Sequence, residues 1–230
     1  MSKSERKILI VDDDEDILDL LNYNLSKEGY KVVKAKDGIE AVEVAKKQLP
    51  EMIIMDIMMP RMDGVEACRQ IRQVPELFKT HVIFLTARIE EYSEVAAFDS
   101  GADDFLSKPI KPRALVSRVN SYFKRTVKKE EQVGVLEMGN LLIDRVSYSV
   151  KLNGKKIMLP RKEFELLYFL AKKPDEVFSR DTLLKNIWGS DVYVLARTVD
   201  VHIRKIREKI GDSYIRTIKG VGYKFEPSNE

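Results

Sequence analysis

Five short apolar runs, each followed by a helical pattern, constrain this chain more than any other feature. Lys7–Val11, Lys31–Ala35, Met52–Met55, Val82–Leu85 and Phe105–Ser107 read as strands. Helical patterns follow them at Asp14–Glu28, Ile39–Gln48, Gly64–Gln73, around Glu90–Ser100, and from Pro112 onward. Ile17, Leu18, Leu21 and Leu25 share one face of the first helix, and Gly29 stands just past its end. Repetition of this kind predicts an α/β domain, a mainly parallel five-stranded sheet with helices on both faces. Right-handed crossovers make it doubly wound and put any ligand crevice at the carboxyl ends of the strands.

The style changes after Lys124. Residues 124–134 (KRTVKKEEQVG) are densely charged and read as a solvated linker that can prolong the preceding helix. Val135–Met138, Leu141–Ile143, Tyr148–Leu152 and Lys156–Leu159 look like short antiparallel strands, with Asn153-Gly154 as a two-residue hairpin turn. Helical patterns follow at Arg161–Lys172, Ser179–Trp188 and Arg197–Ile210, with Ser179 as N-cap. A second hairpin, Tyr214–Ile218 and Tyr223–Phe225 around Gly220-Val221-Gly222, closes the chain. The expected organisation is a domain at 1–124, a linker at 125–134 and a smaller α+β domain at 135–226.

Composition narrows the classes. With 44% apolar and 33% charged residues in 230, the chain can bury a core and stay hydrated, so disordered and low-complexity classes are excluded. No apolar run approaches the roughly 18 residues of a membrane helix. The start, MSKSERKILIVDDD, turns acidic after four apolar residues, unlike a signal peptide. Cys68 is the single cysteine, which fits a reducing cytoplasm; its spacing from Val65 and Ile71 makes it a buried structural thiol.

Acidic residues of the first half cluster at strand ends. Asp12 and Asp13 follow the first strand and Asp56 the third, Thr86 ends the fourth, and Lys108-Pro109 follows the fifth. In a doubly wound sheet these positions converge on one rim. Three carboxylates together repel, and a hard divalent cation with oxygen ligands, typically Mg²⁺, relieves that repulsion. Lys108 supplies a cation for a phosphoryl oxygen and Thr86 a hydroxyl donor, while a carboxylate can act as nucleophile. Taken singly, Asp12–Asp16 could be no more than favourable acids at a helix start. Asp56 is harder to dismiss, since a charge ending the apolar run MIIMD is costly to bury without purpose. Met52 and Met55 read as core packing.

VDDD at 11–14, DIMMPRMDG at 56–64, LTA at 85–87 and GADDFLSKP at 101–109 resemble the receiver domain of two-component response regulators across residues 7–124. That resemblance implies a flavodoxin-like fold in which Asp56 accepts a phosphoryl group from a sensor histidine kinase. It implies Mg²⁺ held by Asp13, Asp56 and the backbone carbonyl of Met58, with Asp12 assisting. By the same likeness Thr86 and Lys108 contact the phosphoryl group, and Phe105 is an aromatic switch that turns inward as Thr86 moves. Slow loss of the phosphoryl group is implied as well, without turnover on other substrates.

The last stretch is basic. Residues 1–125 carry 20 Lys/Arg against 22 Asp/Glu, whereas residues 126–230 carry 20 against 15. Within 196–224, eight basic residues face three acidic ones, a local cluster suited to a polyanion. On a helical wheel Val199, Ile203, Ile206 and Ile210 form an apolar stripe, and Arg197, Thr198, Val201, Arg204 and Lys205 lie opposite, with Glu208 at the margin. A solvated amphipathic helix would show the same wheel. The neighbouring Gly-x-Gly hairpin with Lys219 at its tip turns the reading toward a winged helix-turn-helix.

Residues 135–225 resemble the DNA-binding domain of the OmpR/PhoB subfamily, through RTVDVHIRKIREKIG at 197–211 and IRTIKGVGYKF at 215–225. The resemblance implies base contacts from Thr198, Val201 and Lys205. It implies phosphate contacts from Arg197, His202, Arg204, Arg207, Thr217 and Tyr223, a wing probe at Lys219, and Trp188 facing the DNA backbone. It also implies that phosphorylation drives homodimerisation through the helix around 90–100, the fifth strand and the last receiver helix. Asp103, Asp104, Arg118, Val95 and Phe98 remain on that face, although Glu94 and Ala114 depart from its usual charges. Contact with RNA polymerase through the loop 189–196 is a further expectation. Two other readings stand beside this one, a metal-dependent phosphohydrolase using Asp12 and Asp14, and a DNA-binding scaffold indifferent to phosphorylation.

Overall fold

Strands buried on both faces show no polar alternation, and the first sheet is built that way. β1 (Lys7–Val11), β3 (Met52–Asp56) and β4 (His81–Thr86) are buried almost throughout, while β2 (Lys31–Ala35) and β5 (Asp104–Ser107) form the partly exposed edges. All pairings are parallel, in the order β2-β1-β3-β4-β5. The computed structural model describes residues 3–86, 100–129, 134–189 and 197–227, in two units, Met1–Val127 and Lys128–Glu230. The predicted helix around Glu90–Ser100 falls on residues 87–99, outside those described.

Three helices of the first unit begin at an acidic cap. Asp14, Asp37 and Asp63 accept backbone N–H groups at the starts of α1 (Glu15–Lys27), α2 (Gly38–Gln48) and α3 (Gly64–Arg72). Leu18, Leu21 and Leu25 of α1 pack on Ile8, Ile10 and Ile54 together with Leu115, Val119 and Phe123 of α4 (Pro112–Lys129). The opposite sheet face, with Leu9, Ile53 and Met55, turns toward Ala41 and Ala45 of α2 and Cys68 of α3, all fully buried. The chain steps from β1 out to β2 and back past β1 to β3, so the order reverses between β1 and β3. A crevice opens at such a reversal.

The second unit opens with an antiparallel meander, β6 (Val135–Met138), β7 (Leu141–Asp144), β8 (Ser149–Leu152) and β9 (Lys155–Ile157). Helices α5 (Arg161–Ala171), α6 (Arg180–Ile187) and α7 (Arg197–Ile210) follow. The closing hairpin, β11 (Ile215–Ile218) and β12 (Gly222–Phe225), takes a third strand that the sequence pattern does not reveal, β10 (Phe178–Ser179). Gly222 lets β10 approach, because a Cβ there would stand 1.9 Å from the Phe178 carbonyl oxygen. The fold is therefore a doubly wound α/β unit followed by a smaller α+β winged-helix unit. Among the described residues no helix is long and apolar enough to cross a membrane.

Candidate functional site

Parallel register carries the expected residues to one rim. Val11 pairs with Met55, Asp56 with Leu85 and Thr86 with Ser107, so Asp12, Asp56, Thr86 and Lys108 all leave their strands at the same end. Asp12 is fully buried, while Asp56 and Thr86 are 7% and 8% exposed. One carboxylate oxygen from each of Asp12, Asp13 and Asp56 lies within 4.8 Å of the others, with Asp13 on the exposed side.

Lys108 closes this cluster. Its ammonium donates to Asp12 Oδ2 at 2.8 Å and to Asp56 Oδ2 at 2.7 Å, and its backbone N–H donates to the Thr86 carbonyl at 2.7 Å. Burial raises the Asp12 carboxyl above the usual range, a rise that the Lys108 bond and the Asp14 N–H only partly offset. Burial works the other way on Lys108, but its bonds to the two carboxylates prevail and hold the ammonium above its ordinary value. A hard, all-oxygen set beside a fixed cation suits Mg²⁺ and a phosphoryl group, and offers no soft ligand. Met58, whose side chain is 78% exposed, follows Asp56 closely enough for its amide to face Asp56 Oδ1 at 3.4 Å.

Phe105 is already turned inward. It is 2% exposed, with its ring centroid 5.6 Å from that of Phe84. Asp103, expected as a surface charge on a dimer face, is instead 1% exposed and belongs to an interior hub. Its Oδ2 accepts from Arg72 Nη2 at 2.7 Å and from the Val82 N–H at 2.8 Å, and Arg72 also binds the carbonyls of Gly101, Leu77 and Thr80. A buried carboxylate needs such a partner. Arg118 donates to the Phe105 carbonyl at 2.7 Å and faces Asp104 at 3.5 Å, and Ala114 is exposed. Glu94, Val95 and Phe98 lie outside the described residues.

In the second unit α7 buries Val199, Ile203, Ile206 and Ile210 and exposes Arg197 and Arg204, with Val201, Lys205 and Arg207 half-buried. Thr217, Lys219 and Val221 are exposed on the hairpin. The buried arc is wider than the apolar stripe, for Thr198 and His202 flank it and are 2% and 1% exposed. Trp188, expected to face DNA, is 2% exposed, its ring centroid 5.1 Å from that of His202. Lys162 lies against the same ring and caps α6 through a 2.6 Å bond to the Ile187 carbonyl. Four expected contacts are thus core side chains in this conformation: Thr198, His202 and Trp188, which fill the junction of α5, α6 and α7, and Tyr223, which is 4% exposed on the hairpin.

Two residues absent from the sequence reading organise the hairpin side. Asp200 Oδ1 accepts from the Tyr223 hydroxyl at 2.6 Å and from Arg180 Nε at 2.7 Å. The Arg180 guanidinium lies 5.0 Å from the centre of the Tyr223 ring. Arg207 binds the Ile215 carbonyl at 2.6 Å and Thr217 Oγ1 at 2.9 Å, joining α7 to β11. An acid within an otherwise cationic helix face, three residues after Arg197, was the available signal for Asp200. Residues 190–196, most of the expected polymerase loop, lie outside the described set.

Comparison with known proteins agrees in both units. Residues 8–120 match the family model described as response regulator receiver domain, and residues 154–225 match transcriptional regulatory protein, C terminal. The chain is 39% identical over 234 residues to the alkaline phosphatase synthesis transcriptional regulatory protein PhoP of Bacillus subtilis, covering 96% of this chain and 97% of that one. Among solved structures it resembles the response regulator DrrB, a Thermotoga maritima OmpR/PhoB homolog. The identity is 36% with a TM-score of 0.50, over 96% of this chain and 99% of that one. A mutant of RitR shares the fold at TM-score 0.76 and 24% identity, over 97% of this chain and 100% of that one.

Proposed function

Because the chain belongs to the OmpR/PhoB response regulators, with a receiver and a DNA-binding domain, we propose that Asp56 is its phosphoacceptor and that phosphorylation gates DNA binding. The observation that carries this reading is the Lys108 ammonium held between Asp12 and Asp56 at the switch point of the sheet. An Asp56 carboxylate oxygen attacks the phosphorus of a sensor kinase's phosphohistidine. The P–O bond forms as the P–N bond breaks, and the electron pair leaves on the imidazole nitrogen.

Asp12, Asp13, Asp56 and the Met58 carbonyl would hold Mg²⁺, which when bound neutralises charge on the transferring group. Lys108 moves its hydrogen bonds from carboxylates to a phosphoryl oxygen, and the Thr86 hydroxyl meets another. Phe105 is the side chain that senses this change at β5. Hydrolysis of the aspartyl phosphate resets the chain, whose family is one of transcriptional regulators rather than turnover enzymes.

In this reading the receiver is 1–124, the linker 125–134 and the winged helix 135–226, acting in the cytoplasm. Phosphorylation favours a homodimer through the face formed by the 90–100 segment, β5 and α4, on which Asp103 and Asp104 are both buried in this conformation and Arg118 pairs with Asp104. Coupling requires the dimer-competent form to bind the phosphoryl group better than the other form. Val201 and Lys205 read bases, Arg197, Arg204, Arg207 and Thr217 meet phosphates, and Lys219 probes from the wing, while Tyr223, buried against Asp200, braces the hairpin. Thr198, His202 and Trp188 support that surface from inside and reach DNA only at their edges, and the loop 189–196 meets RNA polymerase. Incubation with a small phosphodonor and Mg²⁺, followed by a phosphate-affinity gel, tests the central step. The native chain should shift and Asp56→Asn should not; identical unshifted bands overturn the reading.

A further inference from the structure

The loop between β3 and α3 carries Met58, and its far end is fastened to a different helix. Near the sheet, the Ile57 N–H donates to the Leu85 carbonyl at 3.2 Å and the Gly64 N–H returns to the Ile57 carbonyl at 2.9 Å. At the other end, the Gly38 N–H in the first turn of α2 donates to the Met62 carbonyl at 3.1 Å. A Cβ on Gly38 would stand 2.5 Å from that carbonyl oxygen and 2.8 Å from the Met62 side chain, so the helix start lies directly against the loop. Beside this contact, Arg61 reaches across to the carboxylate of Asp37.

Both partners of that ion pair are unusual. Asp37 is 2% exposed and caps α2, accepting from the Ile39 and Glu40 N–H groups at 2.8 and 3.0 Å. Arg61 has φ 64°, a left-handed conformation that a non-glycine residue holds only under strain. Such a backbone persists where its surroundings determine it, and here the side chain's ion-pair partner is a buried carboxylate at the start of a separate helix. Met58 lies between the two anchored ends of the loop, while Asp37 is not part of the acidic pocket.

We propose that the Asp37–Arg61 pair is a latch that fixes the loop and so positions the Met58 carbonyl for Mg²⁺, making Arg61 a positioning residue of the phosphoacceptor site. The proposal rests on the reading of Asp12, Asp13 and Asp56 as the metal pocket. It makes Mg²⁺ affinity depend on a residue pair that touches neither metal nor phosphoryl group, as outer contacts do in metal sites generally.

The test follows the thermal unfolding midpoint of the full chain against MgCl₂ concentration at fixed ionic strength. Native protein, Arg61→Gln, Arg61→Lys and Gly38→Ala are compared. Arg61→Gln should raise the half-saturating Mg²⁺ concentration roughly three- to fivefold, the range of a partly exposed pair. Its midpoint without Mg²⁺ should stay near native, since Asp37 keeps its two N–H donors. Arg61→Lys should lie within about twofold of native, and Gly38→Ala should shift in the same direction as Arg61→Gln by displacing Met62. An unchanged Mg²⁺ dependence in Arg61→Gln, or an equal drop with and without Mg²⁺, overturns the latch. A native chain that ignores Mg²⁺ altogether removes the metal pocket itself, and the latch with it.

Discussion

The Tyr223 hydroxyl donates to Asp200 Oδ1 at 2.6 Å, tying the hairpin to the first turn of α7 within one domain. Burial, and then that bond, push the Tyr223 phenol up to about 12 from an ordinary value of 10.0. The folded state therefore holds the proton more tightly than the unfolded state. The stability this contributes is fully present below about pH 10 and disappears as pH rises toward 12. Titration of tyrosinate absorbance should show a late-ionising phase that Tyr223→Phe loses. A variant curve superimposable on the native one above pH 10 would contradict the assignment.

The acidic pocket trades stability for chemistry. Burial holds the Asp12 carboxyl above its usual value, so its ionised form opposes folding at neutral pH. The favourable contribution is complete only below the unfolded value of 3.8 and is lost as pH rises through the higher folded value. Asp12→Asn should accordingly raise the urea midpoint of the metal-free chain while reducing phosphodonor labelling. Lys108→Ala should do the reverse to stability. Removing the ammonium from between two carboxylates should cost about 1–3 kcal/mol, since the side chain is partly exposed, and added Mg²⁺ should recover part of it. If both variants destabilise the metal-free chain alike, the sign argued for Asp12 is wrong.

Most of the α/β unit could be read from the chain because each strand is a continuous apolar run, and right-handed crossovers leave few ways to order five of them. Convergence of Asp12, Asp56 and Lys108 followed from that order. What sequence could not show depends on partners far along the chain. β10 is two residues long, too short for any period, and exists through its pairing with Tyr223 and Gly222. Asp103 reads as a surface charge from sequence because its partner Arg72 lies 31 residues earlier in the chain. Thr198 falls outside the apolar stripe on a wheel that counts apolar residues alone, and His202 is placed outward only by the family resemblance. Their burial follows from what α5 and α6 place against α7, information that one helix does not contain.

The two hairpin glycines should differ sharply on substitution. Gly220 has φ 72° with open space where a Cβ would go, so Gly220→Ala meets only backbone strain, about 1 kcal/mol. Gly222→Ala would place its Cβ 1.9 Å from the Phe178 carbonyl oxygen, which can be relieved only by separating β10 from β12. A loss of about 3 kcal/mol or more is expected, in the range of overpacked cores. Urea unfolding of the full chain, followed by far-ultraviolet circular dichroism, separates the two. Equal losses at the two positions would mean that β10 is not held as described.

Exposure within α7 separates side chains that meet phosphate from those that support them. Arg204 is exposed and pairs with Glu208 at 3.4 Å. Arg204→Ala should weaken binding to all DNA sequences and lower the slope of log affinity against log salt by about 0.9. Trp188→Phe acts inside the domain, beside His202 and Lys162, where an indole lost from a packed junction leaves a cavity. It should lower the unfolding midpoint by the equivalent of about 1–3 kcal/mol. Its salt slope should stay native, because no phosphate charge contact is removed. Fluorescence anisotropy with labelled duplex at several salt concentrations measures both slopes. A Trp188→Phe slope reduced as far as that of Arg204→Ala would show that the indole meets the DNA backbone directly and that the buried arc opens on binding.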